Sequence, residues 1–221
     1  MTLERECVIL LHGLARTRFS LSRLAVALEP DYKVINQGYP SRRHTVEKLA
    51  KIAIEDAIQK CPKNSVIHFV THSLGGILVR QYLSQHSIKN IGHVVMLGPP
   101  NQGSEIVDFF QSSPFLIDLF QIINGPAGAQ LGTQTHGRPR ALGPVNFSLG
   151  VIAGNKNFNP FLAKLLPGHS DGKVTVESSK VQGMADHLVL PVDHTFMMTN
   201  DTVIEQVQTF LQNGHFDPDN L

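Results

Sequence analysis

The chain has 221 residues, 42% of them hydrophobic and 17% charged, with 19 Lys and Arg against 18 Asp and Glu. A chain of this length buries a sizeable apolar core as one domain spanning 1–221, without metals or bridges. The near-balanced charge excludes a strongly basic nucleic-acid surface and an acidic disordered chain.

Acidic residues at Glu4 and Glu6 precede a short apolar run, which reads as a first strand and not as a signal peptide. No run approaches the roughly 18 consecutive apolar residues of a membrane span. Cys7 and Cys61 are the only cysteines and lack paired spacing, so they are expected to be reduced, in a cytoplasmic protein.

Cys7 to Leu11 is continuously apolar, as in a parallel strand covered on both faces, and it ends at His12-Gly13. Leu21, Leu24, Ala25 and Leu28 form one helical face, and Lys33 to Asn36 a short strand. Val46, Leu49, Ala50, Ala53, Ile54, Ala57 and Ile58 recur at steps of three and four, the strongest helical pattern here, and Thr45 with Lys48 gives only a partial cap signature. Ser65 to Val70 and Ile91 to Leu97 are further strands, with a helix carrying Ile77, Leu78, Tyr82 and Leu83 between them. This alternation predicts right-handed βαβ units and a mostly parallel sheet.

The rhythm breaks between 99 and 144, where an apolar stretch from Asp108 to Ile123 precedes a Gly- and Pro-rich one. Segment 99–144 is expected to be a small cap over one end of the sheet, with Phe109, Phe115, Leu116 and Phe120 either lining or covering an acyl pocket or packing as plain helix core against the sheet. Asn146 to Ala153 resumes the strand pattern, and Leu188 to Val192 is a late strand or an extended loop. A helix with Val203, Val207, Phe210 and Leu211 closes the chain, before a tail after Gly214 that looks frayed.

Thr71-His72-Ser73-Leu74-Gly75 lies between an apolar strand and an amphipathic helix. A serine on such a turn stands above the sheet edge at the positive end of the next helix, where an oxyanion meets backbone N–H groups. Its hydroxyl needs a base, and the base needs a carboxylate to fix its tautomer. Asp171, in a Ser-Asp-Gly turn, and His194, before the last helix, supply them in the order this layout requires. Asp186, Asp193 and His187 are rivals; Asp193 adjoins His194 too closely to orient it. The amides of Leu14, after Gly13, and Leu74 are the expected oxyanion donors, with His12 shaping its turn. His68 and His93, in apolar strands, read as hydrogen-bonded structural histidines. The Arg42-Arg43-His44 and Arg138-Pro139-Arg140 clusters read as solvated charge.

Together, His12-Gly13-Leu14, Thr71 to Gly75, Ser170-Asp171-Gly172 with Val174, and His194 resemble the α/β-hydrolases of the lipase and esterase kind, most of all the compact bacterial triacylglycerol-lipase-like members. The resemblance covers nearly the whole chain. It implies an α/β-hydrolase fold of about six strands in a three-layer arrangement, beginning at the family's third strand. It also implies a nucleophile Ser73, an acid Asp171 and a base His194, acting on small-molecule carboxylic or lipid esters without a cofactor or catalytic metal, and with peripheral lipid contact at most. Thioesterases, acyltransferases and non-catalytic binding proteins share the fold. One departure is Thr71, where the family's nucleophile pentapeptide usually has glycine; a β-branched side chain there crowds the packing of the following helix.

Overall fold

The computed structural model describes residues 5–112, 114–134, 137–158 and 165–219, and only the backbone of 114–121. Six strands, β1 (Cys7–Leu11), β2 (Lys33–Gln37), β3 (Ile67–His72), β4 (Ile91–Leu97), β5 (Leu149–Gly154) and β6 (Asp186–Leu190), form one sheet in the order β2-β1-β3-β4-β5-β6. Every neighbouring pair is parallel. The late apolar run is a strand, and it begins at Asp186, two residues earlier than its apolar pattern. β3 continues through Thr71 and His72, which the sequence pattern assigns to the junction.

Alternation along β1 explains the layers. Cys7, Ile9 and Leu11 face a core shared with helices α2 (Val46–Lys60) and α3 (Leu74–Leu83) on one side of the sheet. Val8 and Leu10 face the other core, closed by helix α1 (Ser22–Leu28) and by the last helix, Asp201–Asn213. The helical faces read from the sequence are the buried ones: Val46, Leu49, Ala50, Ala53, Ile54 and Ala57 on α2, and Val203, Val207, Phe210 and Leu211 on the last helix. The 99–144 segment carries helix Glu105–Gln111 and a helical stretch Pro114–Ala129 broken at Gly125, whose φ is 69°.

Two expectations are corrected. Cys7 and Cys61 are not reduced thiols but a disulfide, with Cα atoms 5.8 Å apart. The parallel topology explains why: α2 runs back against the strands, so its end at Cys61 returns to the amino edge, where β1 begins. The tail is not frayed at its start either. Phe216 is buried against Phe210, its amide donates to Asp186 Oδ2 at 2.8 Å, and Asp217 exchanges two hydrogen bonds with Gln206.

The partial cap signature of α2 has a physical complement elsewhere. Thr45 makes no side-chain cap bond; Gln130, from the 99–144 segment, accepts the Val46 amide at 2.7 Å and donates to the Glu47 carboxylate. Arg138 pairs with Glu47 at 2.9 Å and donates to Gln81, while Arg140 donates to the Gln102 carbonyl, so this cluster ties elements together instead of being only solvated.

Candidate active site

Five strands, β1, β3, β4, β5 and β6, deliver loops to one carboxyl edge. At the end of β3, Ser73 has φ 52° and ψ −117°, a backbone region that costs a non-glycine residue about 1–3 kcal/mol and persists only where its surroundings impose it. They do so here: the Ser73 amide donates to the Leu97 carbonyl at 2.9 Å, and α3 begins at the next residue. Gly75 lets α3 lie on β1, since a Cβ there would stand 2.4 Å from the Leu11 carbonyl oxygen, and Gly76 makes room for Met96 in the same way. Thr71, the departure in the pentapeptide, is fully buried within β3 and paired between Leu11 and Met96, so its side chain is absorbed by the sheet.

Beyond β5, a Ser170–Thr175 bridge folds the chain into a tight loop. Asp171 Oδ1 accepts the amides of Lys173 and Val174 at 2.9 and 2.8 Å, which leaves Oδ2 for the His194 Nδ1–H at 2.7 Å. The His194 amide also donates to the Asp171 carbonyl at 2.9 Å, and both side chains are buried. With Nδ1 donating to the carboxylate, Nε2 is the nitrogen left with a free lone pair. Gly98, with φ 53° at the end of β4, is what admits this pair: a Cβ there would lie 2.9 Å from Asp171 Oδ2 and 3.0 Å from His194 Nδ1. In the sequence this glycine reads only as a strand stop.

Ser73 and His194 line the same cleft, together with Leu14, and Leu74 is buried behind Ser73. No hydrogen bond joins the Ser73 hydroxyl to His194 among the described residues. The cleft, about 460 Å³, falls in the range of small-molecule sites, and Ile106, Val107, Phe110, Ile123 and Leu131 form its apolar wall. Among the described side chains, Phe110 is the aromatic residue that the 99–144 segment contributes, with Phe109 edge-on against it. Phe115, Leu116 and Phe120 lie outside the described side chains.

The rivals are occupied elsewhere. Asp186 holds the tail and the His187 amide, His187 meets Ser179 Oγ at 2.9 Å, and Asp193 caps the amides of Thr195 and Phe196. His12 shapes its turn, stacked on Tyr39 and bonded to the Gly13 carbonyl at 2.9 Å. His68 and His93 are structural: His68 meets Glu6 and accepts the His93 amide, and His93 meets Ser148.

Two buried groups escape sequence reasoning. The His72 ring lies 4.7 Å from that of His194, and its Nε2–H donates to the His194 carbonyl at 3.0 Å. Burial above all, and then the neighbouring charges, holds its pKa well below the ordinary value, so it stays neutral. Arg80 donates to Asn101 and to the Gly143 carbonyl, pinning the loop after β4, and burial lowers its pKa to about 10. A lone His or Arg within an apolar stretch gives no sign of such placement. Among the described residues no three His, Cys, Asp or Glu side chains gather as a metal site.

Compared with known proteins, the chain matches no family model and no curated protein sequence. Solved structures do resemble it. A lipase of Bacillus licheniformis in its mature form superposes with a TM-score of 0.70 at 18% identity, over 94% of this chain and 92% of the lipase. The phospholipase PlaB of Legionella pneumophila gives 0.72 at 16% identity, over 95% of this chain but only 60% of that longer one. A metagenomic carboxyl esterase gives 0.68 at 21% identity, over 88% and 66% of the two chains. The chain has the α/β-hydrolase fold. In that fold the carboxyl edge of the sheet, where Ser73 shares a cleft with the Asp171–His194 pair, is the place where loops assemble a site.

Proposed function

We propose that the protein is a serine hydrolase of carboxylic esters working through an acyl-enzyme. The observation that carries this reading is the buried Asp171–His194 hydrogen bond opening onto the cleft in which Ser73 holds a strained turn. Ser73 attacks the ester carbonyl while His194 Nε2 takes its proton, and the amides of Leu14 and Leu74 stabilise the oxyanion. His194 then protonates the departing alcohol. Water activated by the same nitrogen releases the acid and restores Ser73, while Asp171 keeps the imidazole in one tautomer. His72, neutral by burial, adds no second positive charge beside the imidazolium that forms.

The acyl chain runs along Ile106, Phe110 and Leu131, and segment 99–144 acts as a cap inside a single domain. The names of the structural neighbours, a lipase, a phospholipase and a carboxyl esterase, support the reaction class. The Cys7–Cys61 bond fits an oxidising compartment better than the cytoplasm.

A fluorophosphonate probe tests the reading directly. Peptide mapping should find it on Ser73, and His194→Ala should abolish labelling in a folded protein. Labelling elsewhere, or labelling of Ser73 unaffected by that substitution, would overturn the mechanism.

A further inference from the structure

Among the described residues the cleft is lined by two cationic side chains, Arg16 and Lys173, and by no carboxylate. Lys173 stands on the loop that carries Asp171, and Arg16, on the loop after β1, reaches across to the loop that carries His194. Arg16 Nη2 donates to the carbonyl of Thr195, the residue after His194, at 2.9 Å. Lys173 is two residues past Asp171, and its backbone amide holds that carboxylate at 2.9 Å. The Lys173 ammonium has no hydrogen bond or ion pair among the described residues, and Arg16 spends its guanidinium on one carbonyl. Asp193 is the further acid close enough to act on both, but its Oδ1 is already engaged with two amides. Solvent reaches Lys173 at the mouth, yet the cleft walls strip enough of its hydration to lower its pKa, and the Arg16 charge lowers it further. Asp171 also acts on Lys173, but its carboxylate is spent on two amides and on His194, and with Asp193 engaged as well the two cations favour an anion between them.

Position decides which part of a substrate would carry that anion. The apolar wall, Ile106, Phe110 and Leu131, comes from the 99–144 segment and suits a chain of methylenes. The cations belong to the side where His194 hands a proton to the leaving alcohol.

We propose that the cleft takes acyl esters whose alcohol portion carries a negative charge, a phosphate or a carboxylate, held between Arg16 and Lys173. The proposal rests on the ester-hydrolase reading above and names its substrate class.

Butyrate release tests it on matched pairs of water-soluble esters. 1-Butyrylglycerol 3-phosphate is set against 1-butyrylglycerol, and 3-butyryloxypropanoate against its carboxamide. The expected kcat/KM ratio of charged to neutral partner is about tenfold or more for at least one pair, as suits a charge-assisted contact. It should shrink as salt is raised. A phosphate preference or a carboxylate preference alone names the group. Lys173→Gln should cut the ratio toward one, Lys173→Glu should invert it, and Lys173→Arg should keep it; Arg16→Gln should act like Lys173→Gln if it folds. Ratios near one in the parent enzyme, or a preference that Lys173→Glu leaves intact, overturn the proposal while leaving ester hydrolysis in place. Absence of butyrate release from all four esters instead removes the ester reading, and the proposal with it.

Discussion

The two edges of the sheet are built to opposite standards. At the amino edge, β1 starts from a disulfide, and its first amide donates to the Val66 carbonyl at 2.8 Å. His68, Glu6 and His93 satisfy one another nearby. At the carboxyl edge Ser73 is strained, His72 Nδ1 is buried without a hydrogen-bond partner, and Arg16 and Lys173 crowd one mouth. One end is built for holding; on the reading proposed above, the other is built for reacting. The stability given up at the reacting end is supplied by the rest of the molecule, which is the usual relation between a site and its scaffold.

Substitutions at the reacting end should give the largest effects, and on turnover alone. Ser73→Ala should lower ester kcat/KM by about four orders of magnitude or more, while urea melts move by no more than about 0.5 kcal/mol. His194→Ala should match it, and the double variant should cost little more, because the pair acts as one unit. Asp171→Asn, which presents the wrong imidazole tautomer, should be milder but still large. A folded Ser73→Ala protein keeping a tenth of the parent rate would dissolve the contrast between the two edges.

The holding end should respond in the other currency. Reduction of the Cys7–Cys61 bond, or the Cys7→Ser, Cys61→Ser variant, releases a closure across 54 residues of sequence and should cost about 4 kcal/mol by chain entropy. The kcat of the surviving folded protein should barely change. Thiol titration of the denatured, unreduced protein should find no free cysteine; two free thiols would remove the staple.

Gly98→Ala sharpens the comparison, since it strains a φ of 53° and drives a methyl group into the Asp171–His194 pair. Turnover should fall about a hundredfold, in line with a small misplacement of catalytic groups, with Asp171 and His194 still present.

The smallest effect is one of pH. Burial lowers the pKa of His12, His68, His72 and His187 below 6.5, so the folded protein binds fewer protons than the unfolded chain. Stability from these groups is complete above about pH 6.5 and is lost as pH falls through their lower folded values. Melting temperatures should decline from pH 7 toward pH 5; a flat profile would show that the four rings are not held neutral.

What the sequence discloses follows the same division. Periodicity reports burial, so the strands, the face of α2 and that of the last helix are legible, as is the strand–turn–helix that holds Ser73. Asp171 and His194 are legible because chain order and turn chemistry restrict the choice, and the structure brings the two together. Distance across the fold is not written in local pattern. Cys7 and Cys61 look unrelated until α2 returns to the amino edge; Phe216 sits among polar residues but meets Phe210; and Gly98 looks like a terminator, although its missing Cβ is the space that Asp171 and His194 share.

The Gln130 side chain that ends α2 has a consequence for protein engineering. A helix whose first amide is satisfied by a distant insert cannot be treated as a module separate from it. Exchange of the 99–144 stretch for that of a protein with the same fold would leave the Val46 amide without its acceptor unless the graft brings its own, at a cost near 1 kcal/mol typical of a lost cap. Chimeras should therefore keep Gln130 with Glu47 and Arg138, or restore the helix start with Asp or Ser at position 45.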